Sequence, residues 1–185
     1  MHRLDPKTTA LLVVDVQERL APAMDPAAFA RLVRGVDVLL AAAATLKAPT
    51  HVTEQYPKGL GPTIEPLRAG IERLGITPVT KTSFSAMDVP EIARWIARIA
   101  PRAVVVVGME THVCVFQTVR DLSLLGLEVH VPHDAVASRR DDDKRTALEL
   151  CARAGAYVTS VETVVFDWLQ KAEGEAFKEL SKRIR

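Results

Sequence analysis

Three side chains with complementary chemistry, Asp15, Lys81 and Cys114, each stand at or just past the end of a short apolar run: LLVVD for the carboxylate, PVTK for the ammonium and AVVVVGMETHVC for the thiol. A carboxylate beside a thiol can take its proton, the sulfur can then attack a carbonyl carbon, and an ammonium can offset the charge moving between them. Taken singly, each has an ordinary reading. An aspartate at a strand end caps a turn, a lysine there is solvated, and a free cysteine packs under a helix. The third segment is the most informative. After Gly108 the order Met109, Glu110, Thr111, His112, Val113, Cys114 allows a sharp turn, with Thr111 as N-cap and Cys114 in the first helical turn. Backbone N–H groups converge there. With the helix dipole and a nearby lysine they are expected to pull the thiol below its reference pKa of about 8.5, and they could hold the oxyanion of a tetrahedral intermediate. Cys151, in RTALELCARAG, shares a helical stripe with Ala147, Leu148, Leu150 and Ala154, which reads as core packing.

These residues need elements to bring them together. Short β-branched runs alternate with longer segments of helical period. The predicted strands are Ala10–Asp15, His51–Thr53, Pro78–Thr80, Ala103–Val107, Glu128–Val131 and Tyr157–Ser160. Predicted helices cover Ala27–Leu46, Glu65–Leu74, Val89–Ile99, His112–Leu125 and Asp142–Ala154, with a charged helical tail from Val161 onward. Strands such as LLVVD and AVVVV are apolar at successive positions, so both of their faces are buried, as in a parallel sheet covered by helices on each side. The expectation is one doubly wound α/β domain over residues 1–185. In such a sheet the binding crevice lies beyond the carboxyl ends of the strands, where the strand order reverses.

Composition narrows the partners. The 185 residues carry 24 basic and 23 acidic side chains, so no net field draws nucleic acid or an anionic membrane, and a small-molecule substrate is expected. The start MHRLDPKTTA lacks a secretory signal pattern and no apolar run reaches membrane-span length, which points to the cytoplasm. Two cysteines give neither a disulfide framework nor a CxxC pair. Neither GxGxxG nor GxxxxGK[ST] occurs, so the usual phosphate cradles are missing.

With Asp15, Lys81 and Cys114 in place, the blocks LLVVDVQ, VTEQYPKGLGPT, KTSFSA and GMETHVCVFQT resemble the isochorismatase-like cysteine hydrolase family, in its subgroup of isochorismatase domain-containing proteins. The resemblance runs over nearly the whole chain. It implies a three-layer αβα sandwich with a six-stranded parallel sheet in the order 3-2-1-4-5-6, and a catalytic triad of Asp15, Lys81 and Cys114. It also implies a cis peptide between Met109 and Glu110, an oxyanion hole from the N–H groups of Glu110 and Cys114, and a homo-oligomer. Family members that cleave amides do so through a thioester, whereas isochorismatase itself cleaves a vinyl ether and lacks the cysteine. Cys114 therefore tips the expectation toward hydrolysis of a small amide or related C–N bond. The alternative is a scaffold protein that keeps the fold without the reaction, and a redox-responsive thiol is a third possibility.

No cofactor is expected. Nicotinamidases of the family hold a metal with an aspartate and histidines after the second strand, and here that region reads THVTEQYPKGLGPT without them. His130 and His133 flank a proline at a strand exit, which reads as a turn rather than a ligand pair. His51 packs within its strand. His112 is two residues from Cys114, about 200° around a helix, so it faces away. EQYPKGLGPT is either a shaped loop over the crevice or a surface connection; Tyr56, Phe84 and Glu110 are the candidate pocket walls, with Glu110 favouring a donor or cationic group. In RRDDDKR, Asp141 or Asp142 is expected to cap a helix, and EGEAFKELSKRIR to form a solvated amphipathic helix, open to packing on a partner subunit.

Overall fold

A computed structural model describes residues 2–184. The first half of the chain runs β1 (Thr9–Val14), a 3-10 turn, α1 (Pro26–Leu46), β2 (Thr50–Gln55), the single-turn α2 (Pro57–Leu60), α3 (Glu65–Arg73), β3 (Val79–Lys81), a second 3-10 turn (Ala86–Asp88) and α4 (Pro90–Ile99). The second half runs β4 (Ala103–Met109), a π-helical turn (Thr111–Val115), α5 (Phe116–Leu124), β5 (Glu128–Pro132), β6 (Val136–Ala137), α6 (Asp141–Arg153), β7 (Tyr157–Thr159), α7 (Val161–Leu169) and α8 (Gly174–Ile184).

All strand pairs within the sheet are parallel, in the order β3-β2-β1-β4-β5-β7. The six expected strands are therefore present in the expected order. A seventh, β6, pairs its two residues with Gly108 and Met109. Its origin is local. β5 pairs with β4 only as far as Val105, and its last residue, Pro132, has no N–H to offer a neighbour. After a turn at His133 and Asp134 the chain returns to pair with the end of β4 that β5 leaves open.

The centre of the sheet is buried on both faces, because β1 and β4 are buried at every position. Leu11, Val13, Val105 and Val107 enter one core with Leu32, Leu39 and Leu40 of α1, Leu67 of α3, Val164 and Trp168 of α7 and Leu180 of α8. Their sequence neighbours Ala10, Leu12, Val104 and Val106 enter the other, with Ile92 and Trp95 of α4, Val119 and Leu122 of α5 and Cys151 of α6. Alternation in a single strand thus feeds two layers.

Three local expectations are corrected. The charged tail divides into two helices: α7 carries the apolar VETVVFDWL into the core, and α8 buries Leu180 and rests on α1 of its own chain through Arg183–Asp37 and Thr45–Glu179 contacts. Helix α6 has Arg140 at its N-cap with no side-chain cap; Asp141, Asp142 and Asp143 form its first turn, where negative charge meets the helix dipole. Thr111 does not cap the helix after β4. Glu110 holds the cap position without a side-chain bond, and the buried Thr111 hydroxyl has no hydrogen-bond partner among the described residues.

Candidate active site

The site is built at the carboxyl ends of β1, β3 and β4, and β1–β4 is the pair at which the strand order reverses. Among the described residues, five other than glycine have left-handed backbone. Lys47, Ala100 and Gln170 end helices, whereas Asp15 (φ 51°) and Tyr56 (φ 37°) follow the last residues of β1 and β2. Such backbone is costly outside glycine and clusters where surrounding structure enforces it. At Asp15 it ends β1 while its N–H still bonds to the Thr53 carbonyl at 3.1 Å.

The Asp15 carboxyl is fully buried. Its Oδ1 accepts a hydrogen bond from the Thr53 hydroxyl at 2.8 Å, and its Oδ2 lies 2.6 Å from Lys81 Nζ, with both side chains removed from solvent. Among the described residues Oδ2 takes no further hydrogen bond of good geometry. Lys81 Nζ also donates to Gln55 Oε1 at 2.7 Å and to the carbonyls of Ser83 and Phe84, each at 3.1 Å. Four oxygens therefore surround the ammonium.

Cys114 enters from the π-helical turn after β4. The peptide between Met109 and Glu110 is cis, and Gly108 just before it has φ +121°. A Cβ at Gly108 would lie 1.9 Å from the Val14 carbonyl oxygen, so only glycine lets β4 run this close to the end of β1. The charges of Asp15 and Lys81 both act on the Cys114 thiol. Cys114 keeps 7% of its surface, against 0% for Asp15 and 3% for Lys81, so it is the most accessible of the three.

Burial governs the proton affinities. Burial raises the Asp15 pKa above the ordinary carboxylate range, with the Lys81 charge and the Thr53 bond opposing it. Burial and then the Asp15 charge push the Cys114 thiol up to about 12, with Lys81 opposing. The expectation of a depressed thiol pKa is overturned: with a carboxylate next to it and little water around it, the sulfur rests as a thiol. Cys151 is raised to about 12 by burial alone, in the core where its helical stripe places it.

The remaining predicted residues take different positions. The Tyr56 N–H bonds to the Lys81 carbonyl at 2.9 Å and Phe84 accepts from Lys81 through its own carbonyl, yet the two rings are 54% and 52% exposed. They stand in the open rather than enclosing a cavity. Glu110 is engaged by Arg139, whose Nε donates to Oε1 at 2.7 Å, so its carboxylate is already partnered. His112 Nδ1 lies 3.0 Å from the Ser138 hydroxyl. His130 is buried against Glu128 and Tyr157, and His133 sits in the turn after β5. His51 accepts from the Val52 N–H and meets the Trp95 ring edge-on. Among the described residues no three His, Cys, Asp or Glu side chains gather as for a metal ion, and no helix is long and apolar enough to cross a membrane. Open concavities of about 410 and 470 Å³ lie along α6 and α4, lined by none of the three central residues.

Several residues that shape the site were not singled out from sequence: Thr53, Gln55, Arg139 and the fully buried Gln17. Gln17 Oε1 accepts from the Gln55 N–H at 2.7 Å, while its Nε2 donates to the carbonyls of Gln55 and Gly61 at 2.9 and 2.6 Å, fastening the loop around α2 to the end of β1. The available signal was a glutamine just past a wholly apolar strand.

The isochorismatase domain model matches residues 9–163. The chain belongs to the isochorismatase family. Isochorismatase domain-containing protein 2 of Danio rerio is 37% identical over 180 residues, covering 97% of this chain and 88% of that protein. The structure of MAR1 ribonuclease from Caenorhabditis elegans is 38% identical with a TM-score of 0.90, covering 99% of this chain and 92% of the other. The YcaC gene product of Escherichia coli, an octameric hydrolase of unknown specificity, shares the fold at a TM-score of 0.88 and 21% identity over 99% and 91% of the two chains. The architecture is thus that of an isochorismatase-family hydrolase, with the buried Asp15–Lys81 pair at the carboxyl ends of its sheet.

Proposed function

We propose that this isochorismatase-family protein is a cysteine-dependent hydrolase of a small amide or related C–N bond, acting without a cofactor. The observation that carries the reading is the buried Asp15–Lys81 pair, 2.6 Å apart, whose charges both act on the Cys114 thiol in the turn after β4. Asp15 takes the thiol proton as sulfur attacks the carbonyl carbon and the C–S bond forms. The N–H groups of Glu110 and Cys114 hold the resulting oxyanion. Collapse breaks the C–N bond, and Asp15 returns the proton to the leaving amine. Water then adds to the thioester with Asp15 again as base, the C–S bond breaks, and the proton restores the thiol. Lys81 offsets the negative charge throughout. In this reading Tyr56 and Phe84 meet the substrate as exposed side chains, and Glu110 does so while held by Arg139.

A raised carboxylate pKa supports this role, because a base that must also act as an acid works best near the operating pH. The test is a hydrolysis screen over small amides, ureides and vinyl ethers with wild type and Cys114→Ala, followed by intact mass for an acyl adduct. Turnover and an adduct lost together in Cys114→Ala are expected; full turnover in that variant would end the thiol mechanism. Absence of turnover on every class would favour the scaffold reading.

The likeness to MAR1 ribonuclease makes RNA a second substrate class to include in the screen. Support for the small-molecule reading is the formal net charge of +1, which provides little of the cationic surface that binds a phosphate backbone. In this reading the enzyme works in the cytoplasm as a homo-oligomer. The assembly is supported by the octameric neighbour and by Leu124 and Leu125, 80% and 64% exposed.

A further inference from the structure

Thr118 lies one helical turn after Cys114 and is fully buried. Its hydroxyl donates to the Cys114 carbonyl at 2.7 Å. A threonine in a helix often bonds back to the carbonyl four residues earlier, so that contact alone is unremarkable. The second contact sets this residue apart: the same oxygen accepts the Ala86 N–H at 2.9 Å, from the turn that follows β3. That turn belongs to the segment that holds Lys81, since Nζ donates to the carbonyls of Ser83 and Phe84. Within it the Ser83 hydroxyl donates to the Ser85 carbonyl at 3.0 Å and the Ser85 hydroxyl accepts from the Met87 N–H at 3.2 Å. One buried oxygen therefore joins the backbone of the sulfur-bearing residue to the loop that cradles the ammonium.

We infer that Thr118 is a positioning residue that fixes the distance between the Cys114 sulfur and the Asp15–Lys81 pair by tying the two loops that carry them. The inference rests on the cysteine-hydrolase reading above. β3 and β4 are separated in the sheet by β2 and β1, so their loops share no strand register, and a side-chain bridge across the carboxyl ends sets their relative height. Displacements on the order of 1 Å between reacting groups cost about 10²-fold in rate, so the bridge is worth most to reactivity.

The test uses the reactivity of Cys114 toward iodoacetamide at mildly alkaline pH, read by intact mass, with Cys151 as internal control. Thr118→Val keeps the shape and removes both bonds; it is expected to slow Cys114 labelling roughly tenfold or more. Thr118→Ser keeps the hydroxyl and is expected to stay within about twofold of wild type. A merely structural role predicts the opposite sign, because a loosened fold exposes both thiols and labels them faster. Equal or faster Cys114 labelling in Thr118→Val would overturn the inference. Should Thr118→Val not fold, Ala86→Pro removes only the N–H half of the bridge. Ser85, with φ −68° and ψ 132°, already has the backbone that precedes proline, and Ala86 occupies the first position of its turn. It is expected to slow labelling likewise, and wild-type labelling in it would also overturn the inference. Failure of the hydrolase reading looks different: wild-type Cys114 would then label no faster than Cys151.

Discussion

Replacing Lys81 by methionine keeps the stem and volume of the side chain and removes its charge and donors. Both members of the Lys81–Asp15 pair have 0% side-chain exposure, so Asp15 is left as a buried carboxylate with only the Thr53 hydroxyl as donor. Removing one partner of a buried pair costs about 3–5 kcal/mol. The lower end applies here, because burial already raises the Asp15 pKa and the carboxyl can escape by taking a proton. In a chain of this length about 3 kcal/mol corresponds to a Tm fall of roughly 6–12 °C. The pH dependence has a definite sign. A folded pKa above the unfolded value stabilises the fold when protonated, and that stabilisation is lost as pH rises from the ordinary carboxylate range to the raised folded value. Without the ammonium the folded pKa of Asp15 rises further, so the deficit of Lys81→Met should be small in acid, grow as pH passes the wild-type folded value and level off above the variant's own. The double variant Asp15→Asn with Lys81→Met has no unpaired charge and should recover much of the loss, giving a coupling of about 2 kcal/mol or more in a double-mutant cycle. Urea unfolding of wild type, both single variants and the double variant, at acid and neutral pH, measures all of this. If Lys81→Met stays within about 1 kcal/mol of wild type at neutral pH, the buried-pair argument is wrong.

Once a substrate is identified, kcat/KM should fall on the acid side with an apparent pKa above the ordinary carboxylate value of about 4, because Asp15 must be ionised to accept the thiol proton. With Cys114 titrating near 12, no thiol limb should enter at neutral pH. Thr53→Val removes a bond that favours the Asp15 carboxylate, so the acid limb should move upward, and an unmoved limb would show that the bond does not tune the base. Gly108→Ala places a methyl 1.9 Å from the Val14 carbonyl oxygen at a positive φ, and should cost more than about 3 kcal/mol or abolish soluble protein; a wild-type melting curve would contradict the packing described for β1 and β4.

The sheet was legible because burial on both faces removes polar alternation: TALLVV and AVVVVGM have no position that faces water. The strand order and the grouping of Asp15, Lys81 and Cys114 came from the resemblance carried by four blocks around them. Strand β6 was not legible, since two residues carry no period and are ordered by the vacancy beside Gly108 and Met109. Nor was the capping at Thr111. A threonine before a helical run is ordinarily a cap, but here the turn widens to a π-helical one and the cap position falls on Glu110. Arg139 was hidden within RRDDDKR, where local charge pattern suggested a helix start and nothing in the spacing pointed to Glu110, which precedes it by 29 positions.

The thiol pKa is where sequence reasoning failed most instructively. A helix start and a lysine argue for a thiolate only while the third group, the Asp15 carboxylate, is left out. Burial of the sulfur, and then the Asp15 charge, act together and outweigh Lys81. The same burial raises Asp15. Both acids therefore shift in one direction, and the proposed mechanism passes the proton between them away from bulk water while Lys81 offsets the charge. In the proposed mechanism the sulfur stays protonated between turnovers and ionises only against a bound carbonyl. Asp15→Asn tests that logic directly. It removes the proton acceptor and also the charge that raises the thiol, so a resting thiolate mechanism predicts faster alkylation of Cys114, whereas transfer to Asp15 predicts slower alkylation together with lost turnover.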